Sequence, residues 1–224
     1  MVPKLIHHLW IDPSKPFSTH LTIPSDVQEN LASWRDKEVA YYQKIWLLNE
    51  IHGLCEAHRL HEVSRAIAAC RFPSMQADIA RLLLMKVIGG FWVDLKLYLN
   101  LRFLDRLVQN DLIFTEHFPK ADLPNPNGRL SNSFMGAVPA HPVITAALAR
   151  VVKNVHSRMK GSIYHVTGAT NLELAVEEIN QKGSYFIMAH QTAWDYLFSI
   201  RSGSYNGSNL HWSLREQREC PYID

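Results

Sequence analysis

Residues 74 to 96 read Ser-Met-Gln-Ala-Asp-Ile-Ala-Arg-Leu-Leu-Leu-Met-Lys-Val-Ile-Gly-Gly-Phe-Trp-Val-Asp-Leu-Lys, a helical run stopped by two glycines and followed at once by an apolar strand ending in an acid. A helix that turns on Gly89-Gly90 straight into a strand is the signature of alternating α/β architecture. Asp78 and Arg81, three apart, share one helix face. In an open α/β sheet ligands sit beyond the carboxyl ends of the strands, so Asp94 is placed to project into a pocket. The same residues also suit a plain intrahelical ion pair and an acid in a turn, and spacing alone does not separate the two readings.

The rest of the chain follows the same alternation. Lys4 to Trp10 reads as a buried strand that stops at Asp12-Pro13, Pro24-Ser25-Asp26 starts a helix over Val27 to Trp34, and Tyr41 to Leu48 is a second strand. Helices are expected at His58 to Ala69, Met75 to Ile88, Phe103 to Gln109, Pro142 to Val155 and Thr170 to Asn180. Strands are expected at Phe91 to Asp94, Leu112 to Glu116, Ser133 to Val138 and Tyr185 to Met188. The stretch from Phe118 to Arg129, rich in Pro and Asn, reads as a surface loop, and Arg201 to Asn209 as a flexible segment. No repeat or interior linker divides the 224 residues.

Composition narrows the function classes. With 47% hydrophobic and 20% charged residues the chain has the material for a packed core, and a net charge of +2 with scattered Lys and Arg argues against a nucleic-acid partner. Three widely spaced cysteines and no long apolar run fit a cytoplasmic protein in a reducing compartment. The Asn206 sequon matters only in a secretory pathway. Phosphate-loop, dinucleotide, zinc-protease and nucleophile-elbow motifs are all missing. Cys55, His58 and His61 offer three metal donors at helical spacing, one short of a structural zinc site.

The stretch around Asp78, Arg81, Gly89-Gly90 and Asp94 resembles the DXD-containing glycosyltransferases allied to yeast α-1,6-mannosyltransferases, bacterial capsular polysaccharide transferases and clostridial glucosylating toxins. Their pattern runs A-D-x-x-R, helix, G-G, an apolar pair, then D-x-D. Lys4-Leu-Ile-His-His-Leu-Trp10 is similar to their first strand, K-I-I-H-x-x-W, and Ser131-Asn132-Ser133 before Pro139-Ala-His-Pro142 to a later N-x-x and P-x-H-P pair. These segments fall in family order across most of the first 145 residues. The resemblance implies one GT-A-like domain over residues 1–224, a mixed central sheet flanked by helices.

It further implies that a hexose moves, with retention, from a UDP- or GDP-sugar to a glycan, lipid-linked glycan or protein acceptor, with at most peripheral membrane attachment. Trp10 then stacks on the base, unless it serves the core instead. Asp78 takes a ribose or sugar hydroxyl, Arg81 reaches the sugar or diphosphate, and Asn132 lies near the transferred sugar. Asp94 matches the first acid of D-x-D, but Lys96 replaces the second, the usual ligand of Mn²⁺ or Mg²⁺. Either the ammonium takes over charge neutralisation or the site is catalytically silent. Thr167-Gly168 stands where the family has T-G-P, and His211-Trp212-Ser213 is similar to its C-terminal H-x-x-x-S-W, which makes His211 a second candidate metal ligand beside Asp94; His190 or Trp194 are alternatives for these C-terminal roles.

Overall fold

The computed structural model describes residues 1–12, 21–117, 130–179, 185–201, 215 and 218–223. The chain opens with β1 (Leu5–Trp10), α1 (Ser25–Lys37), β2 (Tyr42–Leu47), α2 (Leu48–Ala57), α3 (His61–Ala69) and α4 (Pro73–Val87). It continues with β3 (Gly90–Val93), β4 (Leu97–Leu99), β5 (Leu112–Glu116), β6 (Leu130–Ala137) and α5 (Pro142–His156). Then follow α6 (Ile163–Val166), α7 (Thr170–Ile179), β7 (Phe186–Met188) and β8 (Phe198–Ile200). Six strands form the main sheet in the order β2-β1-β3-β6-β5-β7, while β4 and β8 pair as a small antiparallel sheet. β1 is parallel to β2 and β3, β6 is antiparallel to β3 and β5, and β7 is parallel to β5.

Strand alternation sorts β3 onto two cores. Trp92 faces the larger one, built with Leu9, Met75, Ile79 and Leu83, whereas Phe91 and Val93 face the second, with Trp34, Phe103, Phe134 and Phe198. Trp34 stacks on Phe134 at 6.0 Å between ring centroids and meets Phe103 edge-on at 6.2 Å, and such pairs add about 0.5–1.5 kcal/mol each beyond burial.

The Gly89-Gly90 turn has a steric cause. Gly89 has φ +71° and Gly90 φ +102°, and a Cβ on Gly90 would lie 2.6 Å from the Leu5 carbonyl oxygen. Only two glycines let β3 leave α4 and enter the sheet flush against β1. Pro73 and Pro142 start α4 and α5, where a missing N–H costs no helical bond, and His141 Nδ1 accepts from the Val143 N–H at 3.2 Å.

Helix α1 runs longer than its pattern predicted, and its face of Asn30, Ser33 and Trp34 docks on residues 95–99. Asn30 Nδ2 donates to the Leu95 carbonyl at 2.9 Å, the Leu99 N–H donates to Ser33 Oγ at 2.8 Å, and Trp34 Nε1 donates to the Leu97 carbonyl at 2.8 Å. That clamp fixes the chain immediately after Asp94.

Several expectations are corrected. Phe103 to Gln109 is not a helix but a single 3-10 turn at Leu104–Arg106: the Arg106 and Leu107 amides bond back three residues, to the Phe103 and Leu104 carbonyls, and the buried Glu38 carboxylate takes the amides of Phe103 and Leu104 at 2.7 and 3.0 Å. The helix expected over His58 to Ala69 begins at His61, and α2, with Leu48, Ile51 and Cys55 buried, precedes it. The Phe118 to Arg129 loop, the Asn206 sequon and all but Arg201 of the Arg201 to Asn209 segment lie outside the described residues. Among the described residues no helix is long and apolar enough to cross a membrane.

Candidate functional site

Beyond the end of β3 four elements bring polar side chains together. α4 supplies Asp78 and Arg81, the turn after β3 supplies Asp94 and Lys96, β6 supplies Asn132, and the residue after α6 is Thr167. Asp78 is 6% exposed and spent inward: its Oδ1 accepts from Asn132 Nδ2 at 2.9 Å, its Oδ2 accepts from Thr167 Oγ1 at 2.8 Å, and Arg81 lies at 3.3 Å. Arg81 is 5% exposed, donates to the Asn132 carbonyl at 2.6 Å and to the Ala77 carbonyl at 3.3 Å, and reaches Asp94 at 3.4 Å. Its guanidinium lies over the Trp92 ring, 5.0 Å from the centroid. Asp78 and Arg81 thus form the floor of the site.

Asp94 and Lys96 are its more exposed members. The Trp92 Nε1–H donates to Asp94 Oδ1 at 2.8 Å and the Lys96 ammonium sits 3.5 Å from Oδ2, with the Asp94 side chain 19% and that of Lys96 35% exposed. The two carboxyls are driven in opposite directions. Burial raises the pKa of Asp78 against the pull of Arg81, Thr167 and Asn132, whereas at Asp94 the opposing cations Arg81 and Lys96 outweigh burial and the net shift is down. Asp94 is therefore the ionised and the more exposed acid of the two.

Two adjacent histidines of β1 hold the strand that carries it. The His7 ring accepts from Trp46 Nε1 at its Nδ1 (2.9 Å), which leaves Nε2–H to donate to the Gly89 carbonyl (2.8 Å). The His8 Nδ1–H donates to the Val93 carbonyl at 2.8 Å, while Gln43 Nε2 donates to His8 Nε2 at 2.8 Å and bonds the Leu31 carbonyl at 3.0 Å. Both rings are buried and neutral, each with a pKa lowered to about 4, chiefly because burial disfavours the cation.

The expected site residues thus separate. Asp78, Arg81, Asp94, Lys96 and Asn132 come together, and Thr167 joins them. Trp10 is 5% exposed in a small apolar cluster with Val27 and Leu31, against which Leu95, the neighbour of Asp94, packs. The N–H of His190 donates to Glu116 Oε2 at 2.9 Å and Trp194 Nε1 to the Glu116 carbonyl at 3.0 Å, at the end of β5. His211, Trp212 and Ser213 lie outside the described residues. Sequence reading missed Trp92, although strand periodicity puts a side chain two before Asp94 on the same face.

The described donor set, which leaves out His211, does not fit a divalent cation. Each Asp94 oxygen already faces a positive side chain, Lys96 two residues on brings an ammonium and no carboxylate, and among the described residues no three His, Cys, Asp or Glu side chains stand close enough to share an ion. Cys55, the sulfur donor of the helical triplet in the sequence, is buried in α2 with its thiol pKa pushed up to about 11 by burial.

The architecture is shared with solved glycosyltransferases. The PaToxG glycosyltransferase matches with a TM-score of 0.51 at 12% identity, over 80% of this chain and 70% of that one. The UDP-bound glycosyltransferase domain of the YGT toxin matches with a TM-score of 0.50 at 9% identity, over 89% and 83%. The fold is therefore the mixed α/β GT-A-like fold of these enzymes. The profile of the capsular polysaccharide synthesis protein family matches residues 65–217, and the chain belongs to that family. No curated protein sequence matches it.

Proposed function

We propose that the protein is a glycosyltransferase, one GT-A-like domain that moves a hexose from a UDP- or GDP-sugar to a hydroxyl acceptor with retention of configuration. The observation that carries this reading is the ionised Asp94 at the end of β3, gripped from within by Arg81 and from the rim by Lys96. Asp94 accepts hydrogen bonds from donor-sugar hydroxyls, and the second N–H of the Asn132 amide donates to the same sugar. Asp78 and Arg81 act through these two, fixing them in place. The half-exposed Lys96 ammonium neutralises charge that builds on the diphosphate as it leaves, the task left by the missing second acid. The acceptor oxygen bonds the anomeric carbon on the face from which the diphosphate departs, the bond to the diphosphate breaks, and a departing phosphate oxygen takes the acceptor's proton. A separate protein base is not required.

The test is hydrolysis and binding of UDP- and GDP-hexoses with EDTA, Mn²⁺ or Mg²⁺. Hydrolysis that survives EDTA and falls on the order of 100-fold in Asp94→Ala supports the reading and identifies the donor. No binding or turnover in any condition, with metal-dependent binding gained in Lys96→Asp, makes the chain a silent relative. Capsular and lipid-linked glycans and protein side chains are the acceptors to compare.

A further inference from the structure

We propose that the acceptor carries an anionic group, a phosphate or a carboxylate, that docks on a cationic cluster formed by Lys37, Tyr98 and Arg201 at the rim of the donor site. This rests on the transferase reading above and names the class of its second substrate. In the small β4–β8 sheet, Leu97 and Leu99 turn into the aromatic core and Tyr98, paired with Ser199, turns outward. The Arg201 guanidinium lies over the Tyr98 ring at 3.4 Å from its centroid, and the Lys37 ammonium at the end of α1 lies 5.1 Å from the same centroid.

Two cations thus share one ring, and among the described residues no carboxylate pairs with either. The carboxylates next to Lys37 in sequence are engaged elsewhere, Asp36 with Arg35 and Glu38 with the amides of Phe103 and Leu104. An aromatic face attracts a cation but does not cancel the repulsion between two of them, so a bound anion lowers the energy of the cluster.

The cluster also opens onto the chemistry. The Arg201 N–H donates to the Lys96 carbonyl at 2.8 Å, the next rung of the β4–β8 ladder, and the Lys96 ammonium turns to Asp94. A positive track therefore runs from the donor-sugar acid to the outer face of the small sheet. Charge focused around one ring suits a discrete anionic substituent on a chain of sugars, whereas a membrane surface calls for charge spread across a plane.

The experiment compares wild type with the Lys37→Gln/Arg201→Gln double variant by calorimetric titration of neutral mannohexaose, 6-phosphorylated mannohexaose, hexagalacturonate and anionic phospholipid vesicles, with UDP and GDP titrated in parallel. A charged saccharide is expected to bind and the neutral one not, and the double variant to bind the charged one at least about 10-fold more weakly with the affinity for the nucleotide unchanged. The tighter of the two charged probes identifies phosphate or carboxylate, and Arg201→Lys, which keeps the charge, retains binding. Equal binding of neutral and charged probes, an unaffected double variant, or a loss seen only towards anionic phospholipid vesicles overturns the proposal. Charged saccharides that bind while neither UDP nor GDP does would leave the anion site standing and remove the transferase reading.

Discussion

The Nδ1–H of His8 donates to the carbonyl of Val93 at 2.8 Å, so a neutral histidine in β1 holds the peptide that leads into Asp94. His7 does the same for the Gly89 carbonyl at the other end of β3.

That arrangement predicts acid sensitivity. Both folded pKa values lie near 4 against an ordinary 6.5, so the stabilisation is complete above pH 6.5 and is lost as the pH falls towards 4, where the unfolded chain has already taken up its protons. Each ring contributes up to about 1.4 kcal/mol per pH unit across that window. Urea midpoints measured between pH 7 and 4.5 should fall steeply, and less steeply in His8→Asn, which keeps a donor for Val93 but does not titrate. A variant with the wild-type slope would remove His8 from the account.

Thr167→Val should weaken the site without a change of shape. It deletes the hydroxyl that bonds Asp78 Oδ2 at 2.8 Å in a buried setting, at a cost of about 1–3 kcal/mol. Thermal melting and donor hydrolysis should both fall, and Thr167→Ser should restore them. Valine behaving like the wild type would remove the Asp78 bond from the account.

Trp92→Phe keeps an aromatic ring beneath Arg81 but removes the N–H that bonds Asp94. Losing a donor to the ionised form raises a carboxyl pKa, so the acid limb of the hydrolysis profile should move to higher pH. An unmoved limb would show that Asp94 ionisation does not control the rate.

Two glycines should respond with opposite signs. Gly90→Ala places a Cβ 2.6 Å from the Leu5 oxygen at φ +102°, and should cost more than about 2 kcal/mol. Gly53→Ala, exposed inside α2 with nothing within 4 Å of the new methyl, should gain about 0.5–1 kcal/mol. Denaturant midpoints distinguish them directly.

What could be read in advance was what local chemistry dictates. The Gly89-Gly90 turn, the prolines that open α4 and α5, and the acid at the end of β3 announce themselves because each is a backbone requirement visible in one or two residues. The residues around Phe103 have helical apolar spacing yet form one 3-10 turn, and the acceptor of their first amides, Glu38, lies 65 positions away, where no local pattern points to it. β4 and β8 are three residues each and exist through pairing across about a hundred positions, which no local pattern encodes. Asp78 and Arg81 share a helix face by their spacing, but their inward orientation depends on Thr167 and the Asn132 carbonyl, partners that spacing along α4 does not reveal.

Because Asp78 and Arg81 are the buried members of the site, the motif they belong to is as much a folding determinant as a chemical one. Asp78→Ala would take the acceptor from the buried Asn132 amide and Thr167 hydroxyl and one of the two carboxylates from Arg81, and the first casualty would be soluble protein rather than turnover. For this chain an alanine scan of the motif confounds the two, and only shape-preserving exchanges such as Asp78→Asn can tell a dead enzyme from a misfolded one.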